Sequence, residues 1–148
     1  MKWLLDTNVV SEATRDRPHR NVINWIAAQA PEELAISAVT LAELTDGATS
    51  NPNETRRRKL TSWIEVEVSN VFRDRTLSLT PDILIDWLRL GRRLRAAGHS
   101  TEAADLLIAS TARVHNLTLV SRNVRDFADT GIVVYDPWSA KSHVMDAI

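Results

Sequence analysis

The sequence predicts a three-layer α/β fold, a central parallel sheet of four to five strands covered by helices on both faces. Two features carry this. Short apolar runs of β character alternate with segments of helical period, the pattern of a parallel sheet assembled from crossover units. The first run, Trp3-Leu4-Leu5, is apolar on both alternations, as befits a strand buried on both sides. With 148 residues, 44% of them apolar, the chain is long enough to bury one substantial core. No repeat, low-complexity tract or composition shift divides it, so a single domain over 1–148 is expected.

Trp3 to Leu5 is the first strand, ending at a polar turn, Asp6-Thr7-Asn8. Asn21 to Ala30 reads as a helix with Val22, Ile23, Trp25 and Ile26 on its buried side. Leu34 to Ser37 is the second strand, and the helix after it runs through Leu41, Leu44 and Ala48. Asn51-Pro52-Asn53 breaks the chain. A helix resumes from Glu54 to about Val66, with Leu60, Trp63 and Ile64 at helical spacing. Leu77 to Leu79 is a strand end, after which Thr80 caps a new helix with Pro81 in its first turn. That helix carries Ile83, Leu84, Trp87, Leu88 and Leu94 and stops near Gly98. Glu102 to His115 is the most apolar helix, and the strands Leu117 to Val120 and Ile132 to Val134 follow, separated by a polar loop. The five tryptophans lie in apolar contexts, which assigns them to core or interface packing rather than to base stacking.

Composition excludes several classes of function. Without cysteine there is no disulfide and no thiolate zinc site, as suits a reducing cytoplasm. The four histidines lack metal-ligand spacing, and there is neither a Gly-rich phosphate loop nor a G-x-S-x-G elbow. The apolar start is too short for a signal peptide or a membrane span, so a cytoplasmic protein without membrane contact is expected. A formal charge of −1 argues against a uniformly basic nucleic-acid binder. The positive charge is nevertheless gathered into two sets, Arg56-Arg57-Arg58-Lys59 and Arg89, Arg92, Arg93, Arg95. These are either solvated helix faces or phosphate-contacting edges around an acidic centre.

Three carboxylates stand at the starts of otherwise apolar elements: Asp6, Glu43 and Asp105. Each has a purely structural reading. Asp6 can form an Asx-type turn, Glu43 stands three residues after Thr40 as in a capping box, and Asp105 suits the first turn of a helix. Together they fall at one edge of the sheet: after the first strand, after the second, and at the entry of a later helix. Converging acids repel one another unless a cation neutralises them. Hard oxygen ligands without His or Cys point to Mg²⁺ or Mn²⁺. At the same edge, Ser121-Arg122-Asn123-Val124-Arg125-Asp126 offers Asn123 as a neutral oxygen group. Asp126 is either a further acid of the site or a solvent-facing loop residue. A dehalogenase-type phosphatase would need a second Asp where Asn8 stands. A receiver domain would need paired acids at the first strand and a late Lys, both missing here.

These residues resemble the PIN-domain family, and within it the ribonuclease toxins of VapBC-type toxin–antitoxin pairs. The resemblance runs through Leu4-Leu5-Asp6-Thr7-Asn8-Val9-Val10-Ser11-Glu12, Ile36-Ser37-Ala38-Val39-Thr40-Leu41-Ala42-Glu43-Leu44, Ala103-Ala104-Asp105-Leu106-Leu107-Ile108-Ala109-Ser110-Thr111-Ala112 and Leu119-Val120-Ser121-Arg122-Asn123. Tyr135-Asp136-Pro137-Trp138 is similar to the end of the FitB-like branch. The resemblance implies a PIN-like fold and a Mg²⁺-dependent endoribonuclease, with Mn²⁺ able to substitute. Asp6 and Asp105 would hold the metal, and Glu43 would contribute directly or through a bound water. Asn123 stands where many members carry a fourth acid, and Ser121 where Thr is commoner. Glu102 replaces a usually small or apolar residue. The resemblance also implies an RNA substrate, a VapB-type antitoxin whose tail covers or disturbs the acidic site, and a homodimer. Asn123 in place of an acid favours the alternative, a PIN module that binds RNA or protein without cutting.

Overall fold

The computed structural model describes residues 1–147. Its central sheet has six strands: β1 (Trp3–Leu5), β2 (Leu34–Ser37), β3 (Thr76–Leu77), β4 (Thr118–Val120), β5 (Val133–Asp136) and β6 (Lys141–Val144), in the order β3-β2-β1-β4-β5-β6. The first five are parallel, and β6 runs antiparallel to β5. The sheet therefore exceeds the expected four to five strands by one edge strand. That strand, Lys-Ser-His-Val, is polar and mostly exposed, so it carries no apolar signature.

Strand β1 is central, paired with β2 on one side and β4 on the other. The chain builds outward from β1 to β3, then crosses back to start β4 on the opposite flank. This makes the carboxyl ends of β1 and β4 a topological switch point, where such sheets open a crevice. Alternation along each strand divides the apolar residues between two cores. Leu5, Ile36 and Val120 point to one face, with Val9 and Val22, while Leu4, Ala35 and Leu119 point to the other, with Ile108, Phe127 and Val134. This is why β1 reads as apolar at every position.

The helices are α1 (Thr7–Glu12), α2 (Arg20–Ala28), α3 (Ala38–Thr49), α4 (Glu54–Trp63), α5 (Ser69–Val71), α6 (Pro81–Ala96) and α7 (Ala103–His115). Helix α1 replaces the expected open turn: Asp6 caps it by accepting from the Thr7 amide at 2.8 Å. A five-residue π segment, Ile64–Val68, joins α4 to α5, so the helical rod outruns its expected end at Val66. Thr80 does cap α6, and Gly98, with φ +82, turns the chain out of it. Trp3, Trp25 and Tyr135 form an aromatic cluster, with Trp3 and Trp25 edge-to-face at 5.1 Å between centroids. Among the described residues, no helix is long and apolar enough to cross a membrane.

Candidate active site

Asp6 follows β1, Ser37 ends β2 and starts α3, and Ser121 follows β4, so three strand ends deliver polar groups to one edge. Asp105 arrives there from the first turn of α7. The result is a pocket of about 540 Å³ that brings together all the residues singled out in the sequence: Asp6, Glu43, Asp105, Asn123 and Asp126. Glu102 lines it too. Five carboxylates thus face one cavity, and no Lys, Arg or His lines it among the described residues.

Asp6 is the fixed member. It is buried and its carboxylate is held on both oxygens. Oδ1 accepts from the Thr7 amide at 2.8 Å, and Oδ2 accepts from Ser121 Oγ at 2.7 Å and from Asn8 Nδ2 at 3.3 Å. Ser121 is itself fully buried, and its oxygen accepts from the Asn123 amide at 3.0 Å. Asn8 Oδ1 accepts from the Arg122 amide at 3.3 Å, which ties α1 to the loop after β4. Ser121 is thus the hub that registers one strand end against the next. The sequence hinted at it only as a hydroxyl directly after the apolar Leu119-Val120. The bonds from Thr7 Oγ1 to Glu43 and from the Arg122 amide to Asn8 join residues distant in sequence and left no pattern there.

Glu43 is exposed and held differently, its Oε1 accepting from Thr7 Oγ1 at 2.7 Å. The capping-box reading of Glu43 fails. The cap of α3 is Ser37, whose Oγ accepts from the Thr40 amide at 3.1 Å, so Glu43 lies well inside the helix with no backbone partner. The Asp105 carboxylate has no hydrogen-bond partner among the described residues, although it does occupy the first turn of α7.

Electrostatics marks the pocket as overcharged. Burial raises the Asp6 pKa, with Glu43 and Asp126 adding to the rise, and the bonds from Ser121 and Thr7 hold it back only in part. Asp105 is pushed up to about 6, first by burial and then by the charges of Asp6, Asp126, Glu102 and Glu43. Asp126 is therefore not a bystander. The 3₁₀ turn Val124–Phe127 carries it into the pocket, where its charge is felt by both central acids.

The family model of the PIN domain matches residues 3–133. The chain belongs to the PIN-domain family. Its relatives include the plasmid stability protein StbB of Pseudomonas syringae pv. tomato, 37% identical over 93% of this chain and 99% of that protein. Another is the VapC ribonuclease Y4jK of Sinorhizobium fredii, 34% identical over 91% of this chain and 96% of that protein. Toxin FitB of Neisseria gonorrhoeae is 31% identical over 91% and 97%. The crystal structure of FitAcB from Neisseria gonorrhoeae superposes with a TM-score of 0.87, at 31% identity, covering 92% of this chain and 98% of that one.

In this PIN domain the donor set suits a hard divalent cation: carboxylate oxygens, an amide and hydroxyls, in a pocket whose acids lack a counter-charge. Among the described residues, no three acids yet converge closely enough to hold one ion. Holding an ion there would require side-chain rotation. Glu43, Glu102 and Asp126 are exposed and can supply it, whereas Asp6 is locked in place.

Proposed function

We propose that this PIN-domain chain is a Mg²⁺-dependent endoribonuclease, the toxin of a VapBC-type toxin–antitoxin pair, with Mn²⁺ able to replace Mg²⁺. The observation that carries the reading is the cluster of five carboxylates without a cationic neighbour at the switch point of the sheet. Such a site gains from binding a divalent ion and repels an RNA phosphate until it does. The VapC ribonuclease and FitB toxin among its relatives support RNA as the substrate and toxicity as the outcome.

Asp6 and Asp105 would hold the ion, with Glu43 joining directly or through a water. When bound, the ion supplies water activation near neutral pH and offsets charge growing on the phosphate. The protein's own residues do the positioning. Ser121, Asn8 and the Thr7 amide fix Asp6, so the first ligand costs no reorganisation. Thr7 Oγ1 holds Glu43 beside the pocket, close to where it can accept a proton from a water. Asn123 presents an amide at the rim that can donate to a phosphate oxygen, and Asp126 adds the further negative charge.

The same reading gives the chain a VapB-type antitoxin and a second copy of itself as partners, action in the cytoplasm, and a single domain over 1–148. Incubation of RNA with the protein tests it. Cleavage should require Mg²⁺ or Mn²⁺ and fall at least ~100-fold in Asp6→Asn and Asp105→Asn variants that remain folded. Undiminished cleavage in chelator would sink it. Tight RNA binding without turnover across both metals would instead favour the non-cutting module, to which Asn123 points.

A further inference from the structure

The carboxylate pocket repels the polyanion it is read to cut, so some other surface must hold the strand. The clefts adjoining the pocket provide one. Thr7, Ser11 and Glu43 are shared between the pocket and a cleft of about 200 Å³ between α1, α3 and α4. Thr14, Leu60 and Trp63 are shared between that cleft and a larger one of about 640 Å³. The latter opens through Arg15, Asp16 and Arg56 onto a final recess of about 590 Å³. These adjoining clefts thus form a series from the acids, past apolar walls, to a mouth where charge reverses, with the Thr7–Glu43 hydrogen bond standing between the first two. Arg15, Arg17, Arg56 and Lys59 line the mouth against only Asp16 and Glu67, an excess of two positive charges.

The mouth is built by specific contacts. Arg56 Nη2 donates to the Thr14 carbonyl at 2.6 Å, pinning the segment after α1 to α4. Its neighbours are spent elsewhere: Arg57 donates to the Asn51 carbonyl at 2.9 Å, and Arg58 pairs with Glu54 at 2.7 Å. Arg17 and Lys59 are exposed and have no ion-pair partner among the described residues, and Arg15 reaches Glu12 only at 3.7 Å. Half-buried Trp63 lines the middle of the groove. Helix α1, six residues long, separates the two ends by on the order of 10 Å. That is about one Debye length at physiological salt, so the mouth attracts phosphates with the acids largely screened from it.

We propose that this groove is the track for single-stranded RNA on one side of the scissile bond. Arg15, Arg17 and Lys59 grip backbone phosphates, Trp63 offers a face to a base, and the carboxylates cut at the inner end. Basic grooves with an interleaved aromatic hold single strands in this way, without reading sequence. The proposal rests on the ribonuclease reading above. It adds that the strand is held through charges remote from the metal, so that binding survives removal of the ion.

The test uses a randomised, fluorescein-labelled 12-nucleotide single-stranded RNA pool and fluorescence anisotropy in chelator, where cutting is off. Arg17→Ala/Lys59→Ala should bind about tenfold more weakly than wild type, with its log–log salt slope reduced by about 1.4 for two lost contacts. Arg58→Ala removes a charge from the same helix and should stay within about twofold of wild type. With Mg²⁺ present, the double variant should lose efficiency on the 12-mer through KM, whereas Arg58→Ala should cut it with wild-type KM. Equal affinity and salt slope in all three proteins, with wild type still cutting, would overturn the track and leave the ribonuclease reading standing. So would a loss of affinity for a poly-glutamate peptide with RNA binding unchanged, which would assign the mouth to an acidic protein tail. Absence of any cleavage by wild type with either metal counts against the ribonuclease reading itself.

Discussion

Asp105→Asn should stabilise the metal-free protein near pH 7.5, and the gain should disappear in acid. The folded-state pKa of Asp105 is about 6, against an ordinary value of 3.8. Because the folded state is the better proton binder, stability falls as pH rises from about 4 through 6. The penalty is absent below pH 4 and complete above pH 7. Two units correspond to a ceiling of about 3 kcal/mol. Asp105 lines an open pocket, so solvent screening reduces this to roughly 1.5 kcal/mol. The net gain is about 1.5 kcal/mol, or about 3–6 °C in Tm for a chain of this size. Differential scanning fluorimetry in chelator at pH 4, 6 and 7.5 measures it as the difference between variant and wild type. Saturating Mg²⁺ at pH 7.5 should then reverse the order, because wild type gains about 2.7 kcal/mol at one hundred times its Kd while the variant gains less. A difference independent of pH, or equal stabilisation of both proteins by Mg²⁺, would refute the idea that Asp105 is a strained acid awaiting a cation.

Two further outcomes probe how the site is held. Ser121→Ala removes a buried donor to Asp6 and an acceptor for the Asn123 amide, and should cost about 2 kcal/mol in urea unfolding and weaken Mg²⁺ binding in calorimetry. Ser121→Thr, which keeps the hydroxyl, should restore the metal affinity if the added methyl is accommodated. Phe127→Ala empties a fully buried site beneath the turn that carries Asp126 and should cost about 3–5 kcal/mol, read by the same unfolding assay.

The fold was legible where packing dictates sequence. Residues in β1, β2 and β4 alternate between two cores, so their apolar runs announce strands, and Thr80-Pro81 and Gly98 bracket α6 by local chemistry alone. It was illegible where pairing, not burial, makes the element. Strand β6 exists because β5 offers an open edge, and its exposed side chains need no pattern. Helix α1 was hidden because its polar opening, Asp6-Thr7-Asn8, is the same string that would make a turn. Only the Asp6 cap and buried Val9 and Val10 distinguish the two. The acids of the pocket were legible because each breaks an apolar context. Their supports were not: Thr7 to Glu43 and Ser121 to Asp6 join residues 36 and 115 positions apart. The first basic set divides in two. Arg56 and Lys59 line the groove mouth, whereas Arg57 and Arg58 are occupied by partners nearby.

Asn123 stood out in the sequence as a missing acid, and its position in three dimensions changes what is missing. The Asn123 amide donates to Ser121, placing the start of the loop against Asp6. The 3₁₀ turn then brings Asp126 round to line the same pocket three residues later. Its charge raises both Asp6 and Asp105, while Phe127 beside it is fully buried and anchors the turn. The negative charge of the pocket is thus not reduced by the amide. Asp126 supplies a carboxylate from the short turn of the same loop. An exposed acid on a turn can approach or withdraw, whereas Asp6 cannot. On the proposed reading, Asp6 would define where an ion sits and the exposed acids would close around it. Because Glu43, Glu102 and Asp126 are exposed to solvent, five carboxylates coexist in the folded chain without already forming a cage.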